Sequence, residues 1–508
     1  MQHTIGSMLD VVARYQPEKI AVIFEDQRIT YRDLNREANK LANGLRARGI
    51  APGDRVLLFM QNSLMLVTAY AAILKAGAVV VPLNVMFRGH EIGHIGADTS
   101  ARAIIADSDL WDRESAIKDA LPDLKQVFLQ GKGDDSREES LLEIMSEQIE
   151  SPDVPIGLDD IASIIYTSGT TGRPKGATQT SRSILSNVQG CCTRNKFSRE
   201  DNLLCALPLF NNFAINVVMM SAFAAGATLV MVDRFDARKV LDHISAHRCT
   251  YFAGTPTMFS YLLQEYDPAK DNINTLRVTK SGGAHCPGSL IREIEEVFGI
   301  THLDGYGQTE ACGFTTLNPL VGVRKENSVG VPLSNIWVRI VSDTGEELPV
   351  GDVGEIVEKG DAFSIHRYWN RPEVNEDVFR GGWFHSGDLG YVDKDGYLYV
   401  VDRKQDLIIT GGANIYPAEV EGVLYSHPKV ALAAVVGVPD PVKGELAKAY
   451  VVLKKGEIST EEEIIQFTRE RIAKYKAPRS VEFVESLPQG PTGKILKREL
   501  RDLVGGET

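Results

Sequence analysis

The 508-residue sequence predicts an α/β fold, and three changes of texture along it carry that reading. Short apolar runs alternate with amphipathic helical stretches over much of the first 320 residues. From about Val321 short strands punctuated by turn signals take over, and after Asp402-Arg403-Lys404 helix and strand mix again. Alternation of the βαβ kind argues for parallel sheets covered by helices. The second stretch, 321–402, reads as a β-rich subdomain, and the last as a separate domain of about 100 residues, within the usual domain range.

Each element has a local reason. Thr30 with Asp33 resembles a capping box, opening a helix that runs to Gly49 at its C′ position. Arg55 to Met60 is strand-like, Ser63 to Ala76 helical with Gly77 as its stop, and Ala78 to Val81 strand-like again. Further strands are expected at Ile161 to Tyr166, Thr228 to Val232, Cys249 to Ala253, Leu276 to Ser281 and Thr301 to Asp304. The uncharged run from Phe213 to Val232 is long enough to span a bilayer. Gly226 divides it into a Met/Ala-rich helical half and a β-prone half, which reads as a buried helix feeding a buried strand. Asp343-Thr344-Gly345 and Lys394-Asp395-Gly396 are turn signals in the β-rich stretch. Beyond them come a helix near Pro417 to Tyr425, strands near Ala431 to Val436 and Ala449 to Leu453, and a charged helix from Thr460.

Composition excludes several classes. Hydrophobic residues make up 43% of the chain, ample for a large core, so disorder is ruled out. With 68 acidic residues against 55 basic ones and a net charge of −13, nucleic acid is not an expected partner. The six cysteines lack metal-site or disulfide-framework spacing and read as buried thiols. Asp10 and Arg14 interrupt the N-terminal region where a secretory signal would be apolar. A cytoplasmic protein without a transmembrane segment is expected.

The most informative stretch is Tyr166-Thr167-Ser168-Gly169-Thr170-Thr171-Gly172-Arg173-Pro174-Lys175-Gly176, expected between an apolar strand and a helical segment. Glycines let backbone N–H groups approach a polyphosphate, hydroxyls donate to it, and Lys175 supplies a mobile charge. It is not a Walker A loop, since Pro174 precedes the lysine and glycine follows it. Ser281-Gly282-Gly283-Ala284 and Asp304-Gly305-Tyr306-Gly307-Gln308-Thr309-Glu310 each follow a strand-like run. An aromatic beside glycines suits a purine face, and a carboxylate near phosphates suits a hard cation.

These strings resemble the adenylate-forming superfamily of acyl-CoA synthetases, adenylation domains and beetle luciferases, whose signature loop is YTSGTTGxPKG. The resemblance extends through Trp383-Phe384-His385-Ser386-Gly387-Asp388, Asp402-Arg403 and Pro488-Gln489-Gly490-Pro491-Thr492-Gly493-Lys494. It implies an ATP site of Thr167, Ser168, Gly169, Thr170, Thr171, Gly172, Lys175, Gly282, Gly283, Ala284, Asp304, Gly305, Tyr306, Gly307, Gln308, Thr309, Asp388, Arg403 and Lys494. Within it Tyr306 would stack on adenine, Asp388 bind the ribose hydroxyls, Thr309 contact phosphate, Glu310 hold Mg²⁺, and Lys494 serve as the adenylation lysine. The catalytic set implied is Lys494, Thr309 and Glu310. Gly411 and Gly412, in Thr410-Gly411-Gly412-Ala413-Asn414-Ile415-Tyr416-Pro417, would border the CoA pantetheine. The hinge position, usually Asp or Lys, is Gln405.

The resemblance also implies a large N-terminal domain of two helix-covered sheets plus the β-rich subdomain, residues 1–404, and a small mobile α+β C-terminal domain, residues 405–508. It is weakest over the acyl pocket, expected from Phe210, Asn211, Asn212, Asn216, Gly283, Gly305 and Ala311. Asn211 replaces a common histidine and His285 a common proline. The asparagines are read either as drift in a pocket wall or as recognition of a polar group on the acid. Gly305, Ala311 and Gly313 are expected to leave room for a bulky acid.

The implied function is an ATP-dependent carboxylic acid:CoA ligase working through an acyl-AMP, with ATP, Mg²⁺ and CoA and with a medium- or long-chain fatty or aryl acid as substrate. The alternatives are an enzyme loading a carrier-protein pantetheine and a nucleotide-binding pseudoenzyme. Oligomeric state is not legible from the sequence, a homodimer being one option.

Overall fold

The computed structural model describes residues 4–112, 117, 120–121, 124–131, 138–167, 174–490 and 493–505. Two large sheets dominate its N-terminal part. The nine-stranded sheet has six parallel strands in spatial order Ile20–Phe24, Thr228–Met231, Asn202–Cys205, Tyr251–Gly254, Val278–Ser281 and Thr301–Gln308, with antiparallel strands added at both edges. The seven-stranded sheet is parallel except for its last pair, Ile161–Thr167 with Lys175–Thr180.

Side-chain alternation explains the layering. Leu203 and Cys205 face one core while Leu204 and Ala206 face another, and Val56 and Leu58 part from Leu57 and Phe59 in the same way. The inner faces of both sheets meet in a single core with the helices Tyr31–Ala47, Leu64–Lys75 and Ser181–Asn195 between them. Other helices cover the outer faces, among them Ala237–Ala246, Pro256–Glu265 and Gly288–Phe298 on the nine-stranded sheet. Parallel strands buried on both faces need such continuous apolar runs.

The capping reading at Thr30 holds: its side chain accepts from the Asp33 N–H, and the helix ends at Arg48 before Gly49 at φ +83°. The uncharged run folds as a π-helix at Phe213–Met220, an α-helix at Ser221–Ala225, a left-handed Gly226 and the strand Thr228–Met231. No helix among the described residues is long and apolar enough to cross a membrane. All six cysteines are free thiols, five of them buried.

Two expectations need correction. The segment after the Gly-rich loop is the strand Lys175–Thr180, paired in register with Thr167 opposite Lys175, and only then does Thr180 cap the helix Ser181–Asn195. The loop therefore closes a hairpin. Five of the six residues of KGATQT are buried as the stretch pairs with the first strand, so the helix begins only at Ser181. Second, Asp304 to Gln308 lies within a strand. That strand pairs parallel with Val278–Ser281 through Asp304, then antiparallel with Gly313–Leu317 from Gly305 onward.

Antiparallel strands Ile336–Val341, Gly354–Gly360, Trp383–Val392, Phe379–Arg380 and Leu398–Arg403 form the β-rich sheet. The C-terminal sheet comprises Ala413–Ile415, Ile408–Thr410, Gly444–Leu453 and Val430–Asp440, with Ser480–Phe483 parallel at one side. Helices Pro417–Tyr425, Glu461–Arg469 and Lys497–Gly505 accompany it.

Candidate active site

The expected nucleotide residues converge from three separate stretches. Sheet pairing sets Asp388 opposite Arg403, whose Nε lies 3.5 Å from the Asp388 carboxylate. Tyr306 reaches the same carboxylate from the nine-stranded sheet, donating its hydroxyl at 2.7 Å. The Arg403 cation and the Asp388 carboxylate act in opposite directions on the ammonium of Lys494, which comes from the C-terminal part. Burial, reinforced by the Arg403 charge, pushes the Lys494 ammonium down to about 8. Its neighbour Gly493, at φ +77°, passes so close to the Pro256–Glu265 helix start that an added Cβ would sit 3.1 Å from Thr255 Oγ1. Thr255 also lies beside Gly283, where a Cβ would be 3.9 Å from its methyl group. Gly493 and Gly283 thus both lie beside Thr255.

Glu310 and Lys175 meet through a residue that sequence reasoning missed. Tyr368 donates its hydroxyl to Glu310, and the Lys175 ammonium lies 5.9 Å from the centre of the same ring. Burial raises the Glu310 carboxyl above its usual range, so the site favours a cation or a proton there. Among the described residues no group of three or more His, Cys, Asp or Glu side chains forms a metal cage. One carboxylate beside the place for substrate phosphates is nevertheless the donor set that suits Mg²⁺, which keeps waters and phosphate oxygens as its other ligands. Thr167 lines up at the hairpin end, its hydroxyl 3.5 Å from the Lys175 carbonyl. Ser168, Gly169, Thr170, Thr171 and Gly172 lie outside the described residues.

Two residues expected at the ATP site are engaged beneath it. Asp304 is buried, accepts from Ser281 at 2.7 Å, and is pushed up to about 7 by burial. Gln308 donates to the buried Glu358. Gly411 and Gly412 form an exposed turn between Ile408–Thr410 and Ala413–Ile415. Gln405 is exposed in the short turn Lys404–Asp406, where Lys404 pairs with Asp343 on one side and Asp406 with Arg501 on the other.

The acyl side departs from expectation. Asn212 and Asn216 are buried and tied to each other at 2.8 Å. Gln179 joins them, donating to Asn212 at 2.7 Å and to the Thr309 carbonyl at 3.0 Å while accepting from Asn216 at 2.9 Å and Ser163 at 3.0 Å. These amides hydrogen-bond to one another inside the protein, while the buried Asn216 Oδ1 is left without a partner among the described residues. Asn211 instead caps the following turn, accepting from the Phe213 N–H at 2.8 Å. The glycines leave no room either. A Cβ on Gly305 would lie 2.7 Å from Leu317 and 2.9 Å from Phe314, and one on Gly313 would lie 2.4 Å from Asn187. Close packing of the chain's own side chains, and not a void, requires small residues there. Ala311 is likewise buried, and Phe210 is half-buried at the start of this wall. Gly283 is open.

Comparison with known proteins accords with this geometry. Residues 9–369 match the AMP-binding enzyme family and residues 419–494 the AMP-binding enzyme C-terminal domain. A feruloyl-CoA synthase from an Amycolatopsis species is 38% identical over 494 residues, covering 97% of each chain. The long-chain-fatty-acid–CoA ligase FadD13 of Mycobacterium tuberculosis is 38% identical over 501 residues, covering 98% of each. The crystal structure of the anthranilate CoA ligase AuaEII with anthranoyl-AMP superposes with a TM-score of 0.93 at 28% identity, covering 99% of this chain and 98% of that one. With both domains matched and relatives of this identity along nearly the whole length, the chain belongs to the AMP-binding enzyme family and is an AMP-forming acyl-CoA synthetase, using ATP, Mg²⁺ and CoA.

Proposed function

We propose that the acid activated is an aryl acid, with a medium- or long-chain fatty acid as the second reading, and that the residues gathered around Asp388 and Lys494 carry the chemistry. The observation that supports it most is the Lys494 loop lying against Thr255 with Tyr306, Asp388 and Arg403 nearby. In this arrangement Tyr306 takes the adenine face, Asp388 and Arg403 hold ribose, and Lys175 and Thr309 meet the phosphates. Mg²⁺, held by Glu310 with phosphate oxygens, supplies charge neutralisation when bound.

The substrate carboxylate then attacks the α-phosphorus in line. An acyl–O–P bond forms, the bond to the β-phosphate oxygen breaks, and pyrophosphate leaves. Lys494 donates to the carboxylate and α-phosphate oxygens as charge moves between them. The division at Gln405, between residues 1–404 and 405–508, gives the second half-reaction its motion. Lys404 is anchored to the β-rich sheet and Asp406 to the C-terminal helix, so the neutral Gln405 between them is where dihedral change is least opposed. Rotation withdraws Lys494 and brings the Gly411-Gly412 turn to the cleft. The CoA thiol attacks the acyl carbon, its C–O bond breaks, and AMP departs. Adenylation makes the leaving group good, so no side-chain nucleophile is needed.

The aryl reading draws on the feruloyl and anthranilate relatives and on the edge-to-face pair Phe213 and Phe314, whose ring centres are 5.4 Å apart beside Gly282. FadD13 carries the fatty-acid reading. Six free cysteines suit a reducing compartment, and the cytoplasm is the one proposed. CoA-dependent AMP release over a panel of aryl and fatty acids tests the whole. Acyl-AMP accumulating without thioester would sink the CoA assignment in favour of a carrier pantetheine, and a fatty acid leading the panel would replace the aryl one.

A further inference from the structure

The helix Pro256–Glu265 touches two parts of the molecule at once. Phe259 and Leu262 fix it to the nine-stranded sheet: both are buried in the core on that sheet's outer face, with Phe259 edge-on to Phe252 at 5.3 Å and to His302 at 4.8 Å. Thr255, which caps the helix, Met258 and Tyr261 follow at a spacing of three and so share one side of it. That side meets residues of the C-terminal part. A Cβ on Gly493 would lie 3.1 Å from Thr255 Oγ1 and 3.9 Å from two atoms of the Met258 side chain, and the Tyr261 hydroxyl accepts from Gln489 Nε2 at 3.4 Å.

The loop met there is closed on itself. The Gly490 N–H donates to the Lys494 carbonyl at 2.8 Å, the Gly493 N–H to the Gly490 carbonyl at 2.9 Å and the Leu496 N–H to the Pro488 carbonyl at 2.9 Å, while Gln489 bridges Ile495 antiparallel. Tyr261 engages both sides of this stem. Its hydroxyl meets Gln489, and its ring joins the apolar cluster of Leu432, Val436, Leu487 and Leu500, which also takes in Ile495, the residue after Lys494. Among the described residues Tyr261 is the one member of that cluster from before residue 404. A second link between the same parts, Glu293 with Lys454 at 3.6 Å, is an exposed ion pair of the kind that contributes little.

We propose that Tyr261 is a positioning residue for adenylation, seating the stem of the lysine loop so that Lys494 reaches the reacting atoms. This rests on the reading of Lys494 as the adenylation lysine. Gly493, at φ +77°, gives the loop a tight turn but no side chain with which to hold its place. Tyr261 supplies a fixed reference from the N-terminal body. Since its partners lie beyond Gln405, the rotation that withdraws Lys494 also breaks this contact. The contact stabilises only the adenylating arrangement, and its loss shifts the population away from that arrangement without removing a group that touches substrate.

The test measures kcat/KM for ATP–pyrophosphate exchange, and thioester formation from supplied acyl-AMP and CoA, with whichever acid leads the panel above. The proteins are the wild type, Tyr261→Ala, Tyr261→Phe, Lys494→Ala and the double variant of Tyr261→Ala with Lys494→Ala. Tyr261→Ala should lower adenylation about tenfold, within the range that a misplaced reacting group loses, and leave thioester formation within about twofold of the wild type. Tyr261→Phe, which keeps the ring in the cluster, should recover most of the loss. In the Lys494→Ala background Tyr261→Ala should lower adenylation by less than about twofold more, because a residue that acts only through Lys494 has nothing left to position. A partly unfolded variant lowers both half-reactions alike and does not mimic the split. Adenylation unchanged in Tyr261→Ala, equal losses in both half-reactions, a Tyr261→Phe as slow as Tyr261→Ala, or a tenfold loss that persists without Lys494 overturns the role of Tyr261. Wild-type adenylation in Lys494→Ala overturns instead the reading of Lys494 on which it rests.

Discussion

The nucleotide face and the acyl face of the cleft are built on opposite principles. On the nucleotide face, side chains from three stretches converge on one another: Tyr306 and Arg403 on Asp388, Tyr368 on Glu310, with Lys494 arriving from the C-terminal part. Tyr306, Glu310, Asp388 and Lys494 are each half-buried and Arg403 is exposed. On the acyl face the polar side chains are dry. There Gln179, Asn212 and Asn216 hydrogen-bond to one another. The first face is organised by charge awaiting phosphate. The second is organised by packing.

The largest effect expected from that contrast is at Lys494. Lys494→Ala should lower adenylation about a hundredfold or more, the scale of losing a preorganised charge at the reacting atoms. Thioester formation from supplied acyl-AMP should fall far less. ATP–pyrophosphate exchange and a coupled thioester assay separate the two, and equal losses in both would break the division of labour proposed for the two conformations.

Next is the amide network. Gln179→Leu strips partners from Asn212, Asn216 and the Thr309 carbonyl at once, and should destabilise the fold by about 1–3 kcal/mol. Denaturant midpoints report it. An unchanged midpoint would mean that these amides are held by something other than one another, and would return them to the acyl pocket as candidates for substrate recognition.

The smallest expected effect is in pH dependence. Lys494 is held down to about 8, so it is cationic below that pH and loses its charge above it. The kcat/KM for adenylation, which reports the free enzyme, should fall to about half its plateau near pH 8 and continue downward. Thioester formation, from which the proposed rotation withdraws Lys494, should show no such decline from this group. A decline shared by both half-reactions would point to a different titrating residue.

Much of the nucleotide face was legible because its chemistry is local. Glycines, hydroxyls and a lysine within one hairpin, or an aromatic between two glycines, announce a phosphate or a purine by composition alone. Tyr368 was not legible, because its partner Glu310 is 58 residues away and nothing in Tyr368-Trp369-Asn370 marks it. Gln179 was hidden likewise, since the segment after the Gly-rich loop reads as helical until its pairing with Ile161–Thr167 is seen. Gly305 and Gly313 were misjudged for the converse reason. A small residue in sequence signals either a void or a close approach, and only Phe314, Leu317 and Asn187 in place decide which.

The α/β alternation, the β-rich stretch after it, the capping at Thr30 and the division of the uncharged run at Gly226 were determined by the sequence alone, because periodicity and backbone preference act over a few residues. Tertiary structure alone decided that the strands flanking the Gly-rich loop pair antiparallel, and that Asn212 and Asn216 hydrogen-bond to each other and to Gln179. Those outcomes depend on contacts between strands and helices far apart in the chain, where burial makes each polar group find its partner within the protein.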